Sequence, residues 1–397
     1  MQFRVSQSSI LWRQVVGLSA ILAAVMFSWM AYSLYQPKIL QELGFVKLAA
    51  WLGIIQGFLG AVLEPFVGSV SDQIQRRFGS HLPVITTGVT LAGLIFVAVA
   101  ILLQWQIPVV IRPFVPVLMT LWVMSMIVFR GPVVALLRQA EPLAALPQAN
   151  MLLTVVFGLV GALSPIMTGF LNSIGGSITF ILGAISLTIG ATILYTSTDR
   201  DVLFTNIEAS KSFISLKTIS IIFAIGLGVG IEINLLLRTF SKIIQHLSGI
   251  QANWIISGIL LVSALTVVPA ATLTTKLGAK LAMKLGMLII VICLALLLFQ
   301  LGSMLAIGLI LFAGFGFGLV FESQIPLILG MVASDRAGLG TGLYFGGIGA
   351  AGALISILLQ SVNAITPLNQ LIWGAVSFLI LILCLANNKI SNLSDKS

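Results

Sequence analysis

Charge is what this sequence has least of. Asp, Glu, Lys and Arg make up only 8% of its 397 residues, against roughly 25% in a soluble globular domain. That shortage excludes a water-facing surface over most of the chain. Cysteine is almost absent. Cys293 and Cys384 are the only two, and both lie inside apolar runs, which argues against a disulfide framework or a thiolate metal cluster. The two histidines, His81 and His246, are far apart and expected in loops, so no metal site is expected. No Gly-Lys-Ser/Thr loop that could cradle phosphates occurs, which argues against ATP-driven pumping. No nucleophile–base pair stands out either. An enzyme is therefore the weakest reading, and no catalytic residue or cofactor is expected.

What fills the sequence is apolar. Hydrophobic residues are 59% of the chain and the mean hydropathy is +1.14. A bilayer core of ~30 Å takes about 20 apolar residues per helix. Twelve such runs are found, near 15–36, 48–70, 83–103, 109–129, 149–171, 177–195, 218–237, 252–273, 281–300, 303–332, 340–361 and 368–386. The first is too long for the core of a signal peptide and has no small-residue cleavage site after it, so it is expected to be a span. The expected fold is an all-α membrane protein of twelve transmembrane helices.

Basic residues set the orientation. With the N-terminus inside, the inner loops and helix ends hold Arg4, Arg13, Arg76, Arg77, Arg130, Arg138, Arg200, Lys211, Lys217, Lys276, Lys280, Lys284, Arg336, Lys389 and Lys396. The outside holds Lys38, Lys47, Arg112, Arg238 and Lys242. Setting aside Arg130, which lies deep in a span, the bias still places both termini in the cytoplasm. This asymmetry explains the net charge of +9 better than a nucleic-acid partner does. The expected setting is a bacterial inner membrane, with lipids and a small-molecule substrate as partners and the chain as a monomer.

The longest polar stretch, Thr196–Lys217, divides the spans six and six. It predicts an N-terminal bundle over 1–196, a linker over 197–216 and a C-terminal bundle over 217–397. Repetition supports the division. Gly68-Ser-Val-Ser-Asp72 with Arg76 and Arg77 follows span two, and Thr275-Lys276-Leu-Gly278-Ala-Lys280 follows span eight. Pro132 in span four has a counterpart in Pro326 of span ten. Related devices at one offset suggest a duplicated six-helix unit.

The turn after span two is the most specific local signal. Gly68 lets two helices approach closely. Asp72 can accept hydrogen bonds from the first amides of a neighbouring helix, where the dipole favours an anion. The start of span eleven, near Gly338–Gly342, is the expected partner. Arg76 and Arg77 can pair with carboxylates or lipid phosphates. Together these residues predict a latch between the two halves.

This turn resembles the signature of the major facilitator superfamily. Pro37 through Gly44, Trp51, Pro65-Phe-Val-Gly68-Ser-Val-Ser71-Asp72, Arg77-Phe78-Gly79, Pro83, Arg130-Gly131-Pro132 and Ala149-Asn150 are similar to the sucrose/proton symporters and related glycoside carriers. The closer likeness covers about residues 20–165. It implies two pseudo-symmetric six-helix bundles rocking about a midplane site lined by spans one, four, seven and ten. The implied function is secondary transport of a small organic solute, a sugar or glycoside, with proton symport. Four features depart from that group, one being Gln73, which stands where the group has an arginine after the motif aspartate. Val123 stands where plant sucrose carriers have a span-four aspartate used for proton coupling. Gln139 replaces the acid that ends the span-four motif, and Ser80-His81-Leu82 replaces a basic run. A non-transporting protein of the same fold, acting in assembly or pigment delivery, is the alternative.

Charges inside spans cost roughly 2.5–3.5 kcal/mol on insertion scales, so each is a functional candidate. Glu64 and Arg130 fall at matching depth and can pair. Glu232 and Glu322 have no basic residue near them in the second half, so they either face the cavity and handle a cation or proton, with Glu322 the better candidate, or are carboxylic acids held neutral by burial. Asn234 and Gln324 are expected beside them. On span one, Ser28, Tyr32, Tyr35 and Gln36 share a helix face that suits either a sugar ring or an interfacial belt. Gly226/Gly230, Gly314/Gly318 and Gly342/Gly346 read as helix-packing pairs.

Overall fold

The computed structural model describes residues 10–105, 107–140, 143–198, 214–297, 299, 302–361 and 367–387. Arg4, Arg200, Lys211, Lys389, Lys396 and most of the proposed linker lie outside them. The described residues form helices α1 (Trp12–Glu42), α2 (Val46–Phe78), α3 (Leu82–Gln104), α4 (Phe114–Ala140), α5 (Leu146–Ala162), α6 (Ser164–Ile174), α7 (Gly176–Ser197), α8 (Leu216–Ile231), α9 (Leu237–Ser248), α10 (Ala252–Leu265), α11 (Val267–Leu277), α12 (Ala279–Leu297), α13 (Ser303–Gly330), α14 (Ala337–Ser361) and α15 (Pro367–Asn387).

Three pairs are single spans with a break. Leu163 alone separates α5 from α6, and Pro165 sits in the first turn of α6. The α10–α11 pair is bent by 56° at Thr266. A five-residue π-helical turn, Glu232–Leu236, joins α8 to α9. Ten of the resulting segments are long and apolar enough to cross a membrane, the bent pair makes an eleventh, and Ile372–Ala386 is a shorter apolar helix. Each of the twelve expected runs contains a helix among the described residues, although the run at 109–129 becomes helical only at Phe114.

Boundaries moved where polar residues interrupt an apolar run. Span four was expected to end at 129, yet α4 runs to Ala140. Arg130 does not stop the helix because its charge is paired inside the protein. Span seven was expected to end at 237, and α9 carries it to Ser248 with a polar face. His246, expected in a loop, therefore lies on a helix.

In the first half α1 packs along α7, and α3 along α4 and α7; in the second, α8 packs along α14, and α12 and α10 along α13. The halves meet along two seams, α2 with α14 and α5 with α10. Small residues make both seams close. A Cβ on Gly158 would come within 2.8 Å of the Leu260 carbonyl on α10. On the other seam Gly57 faces Gly349, and Gly342 faces the Glu64 backbone. The glycine pairs on α8 and α13 pack helices in the same way, with Gly226 against the Tyr344 backbone and Gly314 against Val262.

Candidate functional site

The turn between α2 and α3 lies at the end of the bundle that also carries Arg138, Lys276, Lys280, Lys284 and Arg336, here termed the basic end. Gly79 closes α2 with φ 77°, a left-handed conformation that suits glycine. His81 next to it is fully buried. Its Nδ1 lies 2.7 Å from Ser71 Oγ. Burial pushes its imidazole down to about 4, so the ring stays neutral and braces the turn.

That turn positions Asp72. Its Oδ1 accepts from the Gly338 amide at 2.7 Å and its Oδ2 from the Leu339 amide at 2.8 Å. These are among the first amides of α14, which have no partner within their own helix. Gly68, one turn earlier, lies directly against Gly338. Arg76 adds an ion pair to Asp335 at 3.3 Å and donates to the Asp335 carbonyl. Arg77 points elsewhere, exposed and over the ring of Phe78. Asp335 had not been singled out from the sequence.

Deeper in the bundle lies a cavity of about 320 Å³, walled by α1, α4, α5, α13, α14 and the π-helical turn. Its polar side chains are Arg130, Asn150, Thr154 and Gln324, and its aromatic ones are Trp29, Phe157, Phe321, Tyr344 and Phe345. Arg130 pairs with Glu64. The pair is asymmetric: the Arg130 side chain is 21% exposed and Glu64 only 3%. Phe345 and Trp29 flank the guanidinium, with ring centroids 4.5 Å and 5.8 Å away. Arg130 is thus a cation held at the wall of an apolar chamber, where low dielectric strengthens its pull on an anion.

The expected cavity residues distribute unevenly. Gln324 lines the chamber. Glu232 and Glu322 do not; Ile233 and Phe321 take the wall positions beside them. Glu232 is fully buried, and among the described residues neither carboxylate oxygen has a hydrogen-bond partner. Glu322, also fully buried, accepts from Thr154 Oγ1 at 2.7 Å and from Asn150 Nδ2 at 3.4 Å. Its partners come from α5 in the other half, so the sequence of the second half alone does not reveal them. Asn234 donates to the Gly230 carbonyl within its own helix.

On α1, the face bearing Ser28, Tyr32 and Gln36 is buried away from the chamber. Tyr32 stacks on Trp122, with centroids 4.4 Å apart, and its hydroxyl meets Gln56 Nε2 at 2.8 Å. Phe96 stacks on the same indole at 4.5 Å. The ring system that suggested a sugar platform is a packing core. The chamber takes the neighbouring stripe, Leu22, Val25, Met26 and Trp29, whose i, i+3, i+4, i+7 spacing was available in the sequence.

The fold is shared with solved structures. The human organic anion transporter MFSD10 (TETRAN) aligns with TM-score 0.70 and 14% identity, over 94% of this chain and 99% of that one. A bacterial homologue of the iron transporter ferroportin in its outward-facing state aligns with TM-score 0.72 and 15% identity, over 94% and 98%. At such identity these likenesses speak for fold alone. The sequence profile of the Major Facilitator Superfamily matches residues 16–357, and the chain belongs to that family of membrane transport proteins.

Proposed function

We propose that this protein is a secondary carrier for a small organic anion with an apolar, preferably aromatic, body. One observation carries the reading: the cavity between the halves has an apolar and aromatic wall with a single formal charge, Arg130. Of the cargoes named for the structural neighbours, an organic anion suits this wall better than iron, since no carboxylate, imidazole or thiol lines it. The likeness of the first half to sucrose/proton symporters makes a sugar the competing cargo. A sugar presents many hydroxyls, and besides Arg130 the wall offers only Asn150, Thr154, Gln324, the Tyr344 hydroxyl and the Trp29 indole N–H, of which Asn150 and Thr154 are already engaged by Glu322. Each hydroxyl left unmatched costs roughly 1–3 kcal/mol.

Alternating access follows from the seams. In this reading the hydrogen bonds of Asp72 to the Gly338 and Leu339 amides act as a latch on the basic end, and rocking about α2–α14 and α5–α10 would expose the cavity to each side in turn. In proteoliposomes, 1-naphthoate and 1-naphthalenesulfonate are expected to enter faster than into protein-free vesicles, and to compete with each other. Arg130→Gln should slow that uptake at least about tenfold, consistent with roughly 1.5–3 kcal/mol for a hydrogen bond to a charged group. Uptake no faster than in protein-free vesicles would discard the carrier reading and leave a non-transporting role.

The basic end faces the cytoplasm in this reading, with both termini on that side. A reporter active only in the cytoplasm, fused after Ser397, is expected to be active. An expressed but inactive fusion would reverse the orientation.

A further inference from the structure

We propose that Glu64 is the proton-coupling group, and that cargo and proton are linked because they compete through one guanidinium. The inference rests on the carrier reading above. Among the described residues Glu64 has one ion-pair partner, Arg130. Its Oε2 is buried without a hydrogen bond. The Arg130 side chain lines the cavity and is the more exposed partner, whereas Glu64 is buried and not part of the wall, so an anion in the chamber reaches Arg130 while Glu64 stays behind it.

Charge balance then dictates the step. Before binding, Glu64 carboxylate and Arg130 guanidinium sum to zero. Adding an anionic cargo leaves one net negative charge in a water-poor site, which costs several kcal/mol. A proton taken up by Glu64 restores neutrality: a neutral acid, Arg130 and the cargo anion again sum to zero. The proton leaves when the cargo leaves and the Glu64–Arg130 pair re-forms. Cargo and proton therefore move together, one for one.

Among the described residues packed beside Glu64, no other charged group can take the role of Arg130. The elements packed on α2 are α14, α4, α1, α3 and the short turn Ser334–Arg336. Of these, α4 contributes Arg130 and α14 contributes Tyr344 at the cavity wall. Helix α3 has no titratable residue. Trp29 is what α1 presents beside the pair. Asp335 and Arg336 lie at the basic end, where Asp335 is engaged by Arg76. Glu322, expected from the sequence to be the coupling acid, is held by Thr154 and Asn150 outside the cavity wall. Glu64 also sits on the moving seam, its carbonyl packed against Gly342 of α14. Its charge state thus bears directly on the contact that must open.

The test uses full-length protein in proteoliposomes and 1-naphthalenesulfonate, which does not cross lipid as a neutral acid. With the lumen alkaline by one pH unit, wild type is expected to accumulate the sulfonate up to about tenfold, the ratio set by one-for-one symport. Glu64→Gln is expected to lose that accumulation while keeping sulfonate counterflow, and Glu64→Asp and Glu322→Gln to keep both. Glu64→Gln that accumulates like wild type would overturn the assignment, as would a loss of pH-driven accumulation confined to Glu322→Gln. Wild type that carries no sulfonate would instead overturn the carrier reading. If Glu64→Gln cannot be reconstituted, wild type in weakly buffered detergent decides. Alkalinisation on adding sulfonate supports the proposal, and an unchanged pH overturns it.

Discussion

Gly68→Val is expected to abolish transport while leaving the protein inserted in the membrane. A Cβ at position 68 would overlap the Gly338 carbonyl, and one at Gly338 would stand 2.6 Å from Asp72 Oδ1. Both obstacles are fixed, one backbone and the other a carboxylate held by two amides. The helices must separate, and separation also pulls Asp72 from the amides of Gly338 and Leu339. Hydrogen bonds to a charged group contribute about 1.5–3 kcal/mol each. Losing both, with the overpacking added, should shift the equilibrium away from closure of the basic end by more than about a hundredfold. Asp72→Asn is the milder version. It keeps one acceptor and removes the charge, and it should shift the equilibrium by about tenfold or more. Spin labels at the basic ends of α2 and α14 measure the outcome. An unchanged distance distribution in Gly68→Val would show that this contact does not hold the closed state.

The contact of Asp72 with the start of α14 and the fold were legible in the sequence for related reasons. Lipid leaves the backbone few solutions, so apolar length alone marks a helix. The Gly68–Asp72 turn concentrates its chemistry in a few consecutive residues, and the first amides of α14 are the kind of partner such an acid needs. The cavity was less legible because its wall is assembled from side chains of both halves. Periodicity placed Ser28, Tyr32 and Gln36 on one face of α1, but it does not say which face turns inward. Trp122 decided that by stacking on Tyr32. Polar character likewise pointed to Glu232 and Glu322, whereas the wall selected apolar neighbours and the neutral Asn150 and Thr154. The asymmetry of the Glu64–Arg130 pair was hidden too, since matching depth predicts contact but not which partner meets the cavity.

Asn150→Leu is expected to be among the most damaging substitutions where α5 packs on α13, and the reason lies in Pro326. Proline has no N–H, so the carbonyl one turn earlier, that of Glu322, loses its helical donor. Asn150 supplies the missing donor from the other half, its Nδ2 lying 3.0 Å from Glu322 O and 3.5 Å from Phe321 O. The same amide reaches the Glu322 carboxylate at 3.4 Å. Leucine would leave the carbonyl unsatisfied and the carboxylate with Thr154 alone, at roughly 1–3 kcal/mol per abandoned group. The expected loss is about 2–5 kcal/mol, read as a drop of several degrees in melting temperature in detergent. Pro326→Ala supplies the control. Residue 326 then regains an N–H for the Glu322 carbonyl, and Asn150→Leu should cost about half as much in that background. Thr154→Val, which touches only the carboxylate, should cost the same with or without Pro326. If Asn150→Leu costs equally in both backgrounds, the carbonyl bond contributes little, and what ties α5 to α13 is the Glu322 carboxylate alone.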